Sequence, residues 1–397
     1  MSDQNIKDIS AMANRSIACT CGHTHRIPIQ SIVTGKGALA GLAPMLCAFQ
    51  GKKVYLVGDE NTMALGRDAV RTCLDGVQCD VTEYTFPCEE GKHLITDERL
   101  AGSMLLHMAP ETGLIIAIGS GTMNDTARVV GARCNIPYII VATAPSMDGY
   151  ASSTSAVVMD GGKKSVPLTT PYGIVGDTGL IKTAPDRMLA AGAADILGKY
   201  TALRDWKLAQ RETGEYYCPY IAELVLSTAD RCAGSLPRLF DREDAAIHEM
   251  MDSLTMAGIA ICMYGTSRPA AGLEHQIAHS WEVAAIKAGA NDSLHGNYVG
   301  LGALVACRLY ELAGQEFDLP SGEEQISSAQ MEGFLKQLRG YSSIKTLGIS
   351  REVFREGILH AARPEIRYTL ASYLNQKGKI EAYAGRLTEE FFSLPEA

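Results

Sequence analysis

The sequence predicts a parallel α/β sheet domain followed by an all-α domain, and three observations carry that reading. Apolar runs of strand length, Ile29 to Val33, Lys53 to Val57, Val81 to Phe86, Leu114 to Ile118 and Tyr138 to Ala142, recur through the first half. Helical apolar spacing lies between them at Met63 to Leu74, Asp97 to Met108 and Asn124 to Arg133. Strand–helix alternation with near-continuous apolar strands is the pattern of a parallel sheet covered on both faces. From Thr183-Ala184-Pro185-Asp186 onward long helical patterns follow with few strand candidates. The expected domains are therefore 1–182 and 183–397, with a ligand cleft between them.

The helical half opens on Thr183 as an N-cap with Pro185 in the first turn. Periodicity then predicts helices near 185–211, 215–234, 243–264, 271–287, 295–315 and 329–340, with weaker ones to the end. Bulk properties narrow the function classes. Charged residues make up 20% of the chain, the apolar set 46%, and the net charge is −9 with no Lys/Arg block. That balance excludes nucleic acid or an anionic membrane surface as the main partner. No apolar run approaches the roughly 20 residues that span a bilayer. Met1-Ser2-Asp3-Gln4-Asn5 lacks the basic and apolar regions of a signal peptide. Eleven scattered cysteines, among them Cys47, Cys262 and Cys307, read as reduced thiols of a cytoplasmic protein.

The densest chemistry lies between Glu274 and Gly296. Three of the nine histidines, His275, His279 and His295, fall within these twenty-one residues or so. His275 and His279 are four apart and share one face of a helix. Imidazole is the commonest ligand for a borderline divalent metal, and a carboxylate often completes the set. Asp195 is the candidate carboxylate, set among small and apolar neighbours where a solvated charge is unusual. Spacing alone leaves open a second reading, in which these histidines hydrogen-bond inside a helical core. Near the N-terminus, Cys19, Cys21, His23 and His25 offer four soft donors in seven residues. Their spacings of one differ from zinc-knuckle loops, and a chance cluster or a purification artefact explains them as simply.

The first half contains a phosphate-binding candidate. Leu114 to Ile118, Gly119-Ser120-Gly121-Thr122 and Met123-Asn124-Asp125 read as strand, glycine turn and helix start. Such a turn brings backbone N–H groups to a diphosphate, although a structural turn accounts for Gly-Ser-Gly equally well. Asp59 ends a strand, where an acid accepts hydrogen bonds from a ribose and repels a 2′-phosphate. An ordinary turn aspartate is its plainer reading. Thr143-Ala144-Pro145-Ser146-Met147-Asp148-Gly149-Tyr150-Ala151-Ser152 follows another buried strand, at the edge where doubly wound sheets bind ligands.

Taken together, Gly119-Ser120-Gly121-Thr122, Thr143-Ala144-Pro145-Ser146-x-Asp148-Gly149, Gly192-x-x-Asp195-x-x-Gly198-Lys199, Ser267-Arg268-Pro269-x-x-Gly272-x-Glu274-His275 and His295-Gly296 resemble the sn-glycerol-1-phosphate dehydrogenase family. The likeness is to its bacterial AraM-related branch and covers residues 27 to 310. The wider group includes iron-dependent alcohol dehydrogenases, glycerol dehydrogenase and dehydroquinate synthase. The resemblance implies a Rossmann-like first domain and metal ligation by Asp195, His275 and His295. It implies NAD(H) or NADP(H) against Asp59, Gly121, Thr122, Met123, Asn124, Asp125, Thr143, Ala144, Pro145, Ser146 and Ser152. Asp148, Asp195 and His279 would meet the substrate, with His279 and Asp148 as catalytic groups. Zinc, nickel or iron is the implied metal, a phosphorylated triose the substrate, and a homo-oligomer of dimer size or larger the assembly.

The implied reaction reduces dihydroxyacetone phosphate to sn-glycerol 1-phosphate. Arg268 is the side chain whose guanidinium would match a phosphate, with a structural salt bridge as its alternative. Three rivals stand beside this reaction. A glycerol, polyol or alcohol dehydrogenase shares the metal and cofactor but needs no phosphate site. A dehydroquinate-synthase-like lyase uses both and releases no net NADH. A metal-stabilised binding protein would make the glycine turn and the Asp148 loop coincidences.

Overall fold

The computed structural model describes residues 8–89, 93–290, 293–341, 343–363 and 367–393. The N-terminal stretch read for a targeting signal lies outside them. The chain forms two compact units, one of residues 1–189 with 237–266, the other of residues 190–236 with 267–397. The stretch 237–266, helical as expected, therefore packs with the sheet rather than with the helices that precede and follow it. The change of unit falls at Pro237, inside the helix Pro219–Phe240. Proline there cannot donate the backbone bond that would tie it to the preceding turn.

Among the described residues ten strands lie in the first unit: β1 (Arg15–Ala18), β2 (Thr24–Ile27), β3 (Ser31–Gly35), β4 (Lys53–Asp59), β5 (Asp80–Phe86), β6 (Thr112–Gly119), β7 (Tyr138–Ala142), β8 (Thr154–Met159), β9 (Gly162–Pro167) and β10 (Gly173–Asp177). Six form one sheet in the order β3-β10-β7-β6-β4-β5, and every pairing in it is parallel. The interior strands β6, β7 and β10 are almost wholly buried, which is why β6 and β7 read as near-continuous apolar runs. β5 is an edge strand, and its Asp80-Val81-Thr82-Glu83 start tolerates water. One face of the sheet presents Val54, Leu56, Ile116, Ile118 and Val141 to Met63, Val70 and Leu74 of the helix Glu60–Asp75. The helix Gly121–Cys134 lies on the opposite face, where Gly131 approaches Ile115. Strand order reverses between β4 and β6, which pair directly. Such a reversal parts the following loops and leaves a crevice at the carboxyl ends of the strands.

The five predicted strands are present, within about two residues. Gly173-Ile174-Val175-Gly176-Asp177 is a strand that propensity misses, because two glycines in five residues weaken the pattern. Pairing on both sides, with β3 and β7, supplies what local preference lacks. The remaining four strands form two antiparallel hairpins, β1-β2 and β8-β9.

The second unit is helical. The predicted helix over 185–211 is two, Asp186–Leu197 and Lys199–Thr213, meeting at Gly198. Thr183 does not cap it: its hydroxyl donates back to the Leu180 carbonyl, and the Pro185 carbonyl accepts the first helical bond. Helices Leu273–Lys287 and His295–Ala313 pack side by side. Their core is Ile277, Trp281, Val305 and Leu309, joined by Phe354 and Ile358 of the helix Arg351–His360. Trp281 stacks on Phe354 at 5.4 Å, and its indole N–H donates to the Val353 carbonyl at 3.1 Å. Truncating such a side chain typically costs about 3–5 kcal/mol. The packing fixes the rotation of the Leu273–Lys287 helix, so His275, His279 and Glu282 share the face away from that core. The chain ends in the helices Leu370–Gln376 and Ile380–Ser393.

Candidate metal centre and cofactor turn

Asp195 sits in the last turn of the helix Asp186–Leu197, fully buried. Its Oδ1 accepts from Lys199 Nζ at 2.9 Å, one helical turn on, and lies 3.4 Å from His275 Nε2. A ligand atom from each of Asp195, His275 and His295 falls within 4.8 Å of the other two. Both imidazoles are held from behind by a carboxylate. Glu274 Oε1 accepts from His275 Nδ1 at 2.8 Å, and Glu282 Oε2 accepts from His295 Nδ1 at 3.0 Å. A carboxylate can only accept, so each ring carries its proton on Nδ1 and turns Nε2 toward the centre. That is the arrangement of metal-binding histidines, whose second nitrogen is almost always anchored.

Glu274 is itself fixed. Its Oε1 also accepts from the Gly272 N–H at 2.6 Å, and its Oε2 accepts from the Thr201 hydroxyl at 2.7 Å. Burial opposes charge on Asp195, but Lys199 and His275 outweigh it and hold the carboxyl well below the ordinary range. Burial also opposes charge on Glu274 and on His275. Contact with His275 wins for the acid, which is lowered, and contact with Asp195 and then Glu274 wins for the imidazole, which is raised. The donor set is anionic and preformed, so it suits a divalent cation.

A second grouping, His279, Glu282 and His295, is equally close. Its Glu282–His295 contact is the anchoring hydrogen bond just described, so that carboxylate oxygen is engaged with His295 Nδ1. His279 is half-buried, with its ring 5.3 Å from that of His295 and 6.2 Å from that of His275. Spacing alone pairs His275 with His279; folding brings His275 to Asp195 and His295. Sequence reasoning misses Glu282 as a functional residue, although its position seven after His275 puts both on one helical face. It likewise misses the anchoring role of Glu274.

Gly296 explains the His-Gly pair. A Cβ there would lie 1.8 Å from the Ala191 carbonyl oxygen, so only glycine lets the His295–Ala313 helix begin against the Asp186–Leu197 helix. Arg268 does not have the surroundings of a phosphate anchor. It is buried, pairs with Glu215 at 2.9 Å, and donates to the carbonyls of Asp205 and Tyr368. Asp205 accepts from Leu273 N, Leu370 N and the Tyr310 hydroxyl, each within 2.8 Å. Arg268 thus belongs to a buried network under the Leu273–Lys287 helix.

In the sheet unit, the helix Gly121–Cys134 starts on Ser120 with no side-chain cap. Its first N–H groups therefore point at the space beyond β6. A Cβ on Gly119 would meet Met123 Cβ at 2.5 Å, so that glycine is needed for the turn itself. Asp59 ends β4, one residue past the Gly58–Ile118 pair with β6. Its Oδ1 accepts from Thr62 N at 2.9 Å, and Thr62 Oγ1 accepts from Asp59 N at 3.0 Å, a reciprocal helix cap. Thr143, Ala144, Pro145 and Ser146 form a buried turn after β7, and Asp148 is half-buried. Ser152 Oγ accepts from Thr154 N at 2.9 Å within its own turn.

Arg128, wholly buried, ties this loop to the helix. It pairs with Asp125 at 2.6 Å and donates to the carbonyls of Gly149, Tyr150 and Thr154. Asn124 Nδ2 adds a bond to the Gly149 carbonyl at 3.2 Å. Asn124 and Asp125, placed by resemblance against the cofactor, therefore also shape the Asp148 loop.

Comparison with known proteins gives this geometry a family. Residues 33–185 match the model of the iron-containing alcohol dehydrogenase family. The glycerol-1-phosphate dehydrogenase [NAD(P)+] of Methanothrix thermoacetophila is 31% identical over 85% of this chain and 90% of its own. That of Hyperthermus butylicus is 30% identical over 91% and 97%, and that of Bacillus licheniformis 29% over 93% and 94%. Among solved structures, glycerol dehydrogenase from Schizosaccharomyces pombe matches with a TM-score of 0.66 at 18% identity, covering 92% of both chains. NADH-dependent butanol dehydrogenase A from Thermotoga maritima matches with a TM-score of 0.67 at 14% identity, over 91% and 96%. These two show the fold. With the sheet, the helical unit and the identity to full-length relatives in agreement, the chain belongs to the glycerol-1-phosphate dehydrogenase [NAD(P)+] family.

Proposed function

We propose that this chain reduces dihydroxyacetone phosphate with NAD(P)H to sn-glycerol 1-phosphate, reversibly, at a divalent metal held by Asp195, His275 and His295. The observation that carries the site is the buried triad, with both imidazoles anchored through Nδ1 by Glu274 and Glu282. A divalent ion bound there supplies positive charge at the ketone oxygen, and the nicotinamide supplies hydride. Glu274 and Glu282 keep the rings aimed and raise their basicity as ligands. Lys199 neutralises Asp195 in part, so a buried carboxylate remains ionised. His279, half-buried beside His295, holds or passes the proton that the reduced oxygen takes up. Asp148 orients substrate hydroxyls from the loop that Arg128 fixes.

The uncapped helix at Gly121, with Thr122 and Met123, takes the cofactor diphosphate, and the turn Thr143–Ser146 with Ser152 flanks it. Asp59 caps its helix through Oδ1, which leaves Oδ2 to accept from a ribose hydroxyl. The native ion is zinc or nickel, with iron as the other candidate. Among the described residues no helix is long and apolar enough to cross a membrane. A cytoplasmic homo-oligomer is the assembly we infer, checked by sedimentation.

The test uses stereochemistry. The enzyme is incubated with dihydroxyacetone phosphate and NADH, and the product is offered to a stereospecific glycerol-3-phosphate dehydrogenase. Resistance of the product to oxidation is expected. Remote phosphate binding contributes to orientation at the reacting carbon, so dihydroxyacetone is expected to lose heavily in kcat/KM. Oxidation of the product places hydride on the other face. Equal activity with dihydroxyacetone makes the enzyme a glycerol dehydrogenase.

A further inference from the structure

The hairpin formed by β1 and β2 carries chemistry that the proposed reaction does not use. Its turn runs from Cys19 to His23 and is closed by Cys19 N–H donating to the His23 carbonyl and Gly22 N–H to the Cys19 carbonyl, both at 3.0 Å. Gly22 takes the left-handed φ of +88° that the turn demands. The tightness of the turn brings together donors whose spacing in the sequence is unlike zinc-knuckle loops. Cys19 Sγ, Cys21 Sγ and a ring nitrogen of His25 all lie within 4.8 Å of one another.

His25 is the informative residue. It is 2% exposed, its Nδ1 is 3.2 Å from the Met263 carbonyl oxygen, and its Nε2 is 3.4 Å from Cys21 Sγ. A carbonyl only accepts, so Nδ1 carries the proton and Nε2 presents a lone pair to the sulfur. Zinc bonds of about 2.3 Å to sulfur and about 2.0 Å to nitrogen, at a tetrahedral angle, put the two ligand atoms about 3.5 Å apart. The observed separation already matches. The backbone anchor on the second nitrogen is the one metal-binding histidines take. A simple thiol–imidazole hydrogen bond accounts for the Cys21–His25 pair but not for Cys19 on the same centre. His23 Nδ1, 4.0 Å from Cys21 Sγ, is a further donor in the same turn.

We infer that Cys19, Cys21 and His25 bind a second metal ion, of zinc-like borderline character, separate from the Asp195 centre. Two thiolates and an imidazole select such an ion over magnesium or calcium. Its role is structural: the ion clamps the turn end of a hairpin of two four-residue strands, adding to the packing of β2 on the helix Asp244–Tyr264.

The full-length protein, loaded with zinc and freed of excess by gel filtration, is expected to hold two equivalents of metal. Cys19→Ser with Cys21→Ser should retain one, and His295→Ala should retain the other. Cobalt(II) loading separates the sites by spectrum, because only thiolate ligands give an intense near-ultraviolet charge-transfer band. That band is expected in the unmodified enzyme and in His295→Ala, and should be lost when Cys19→Ser and Cys21→Ser are combined. A single equivalent that disappears in His295→Ala, with no thiolate band in the unmodified protein, overturns the inference. The cobalt spectrum of the unmodified enzyme needs no variant to fold. Turnover does not enter the readout, so failure here is distinct from failure of the proposed reaction.

Discussion

Replacing Glu274 by Gln isolates the anchoring of one ligand from the fold that surrounds it. The carboxylate receives three bonds: Gly272 N–H and His275 Nδ1–H on Oε1, and the Thr201 hydroxyl on Oε2. Glutamine keeps the shape and places its carbonyl oxygen where Oε1 stood. Its amide nitrogen then faces Thr201 Oγ1, which can accept because the hydroxyl has a second acceptor in the Gly198 carbonyl at 2.9 Å. Each polar group stays satisfied, so the unfolding midpoint should move little. What disappears is the negative charge behind His275, and with it part of the ring's strength as a ligand. Loss of such an anchor typically costs 10- to 100-fold or so in metal affinity, equivalent to about 1.4–2.7 kcal/mol. Glu274→Ala differs: the Gly272 N–H and His275 Nδ1–H are left buried without that acceptor, at about 1–3 kcal/mol each, and stability should fall steeply. Competition with a chromophoric chelator measures the affinity, and thermal melts of the metal-free proteins measure the fold. For scale, Ala at Asp195 or His295 removes a ligand outright and should abolish metal binding at this centre together with turnover. Unchanged affinity in Glu274→Gln, with this centre's metal lost in His295→Ala, would refute the reasoning.

Three further outcomes are expected. Asp59→Ala should raise the NADPH/NADH preference, measured as the ratio of kcat/KM values, by removing a carboxylate that repels a 2′-phosphate; an unchanged ratio makes Asp59 a helix cap alone. Gly296→Ala should destabilise by about 1–3 kcal/mol or more and weaken metal binding, because its Cβ would collide with the Ala191 carbonyl and displace the start of the His295 helix; a normal melt with full metal content contradicts this. Burial, reinforced by the charge of Glu274, raises the Asp205 carboxyl to about 6. The folded state then holds a proton that the unfolded state has lost between about pH 4 and 6, so this group's contribution to stability falls as pH rises through that window. Relative to Asp205→Asn, the native protein should lose about 3 kcal/mol across it, and parallel melting curves for the two proteins would remove the assignment.

The sequence by itself determined the order of sheet and helices, because buried parallel strands and amphipathic helices have different apolar periods that survive without tertiary context. It also singled out Asp195 with His275, His279 and His295, since a carboxylate among alanines and histidines on an apolar helix are costly unless they serve something; only the family resemblance set His279 apart from the other two. Tertiary structure decided what periodicity cannot carry. β10, with two glycines, exists because β3 and β7 pair with it on either side. The helix Asp244–Tyr264 packs with the sheet unit although its own pattern resembles the helices around it. Arg268, attractive as a phosphate ligand by its chemistry, is committed to Glu215 and two backbone carbonyls. Glu274 and Glu282 became anchors only when folding set each carboxylate against an imidazole nitrogen. Asp195 and His275, 80 positions apart, meet with His295 at the candidate metal centre, and two donors of a tight turn meet a third from the adjoining strand at the hairpin. A metal site is a statement about distances of a few ångströms, and helix packing and strand pairing set those distances.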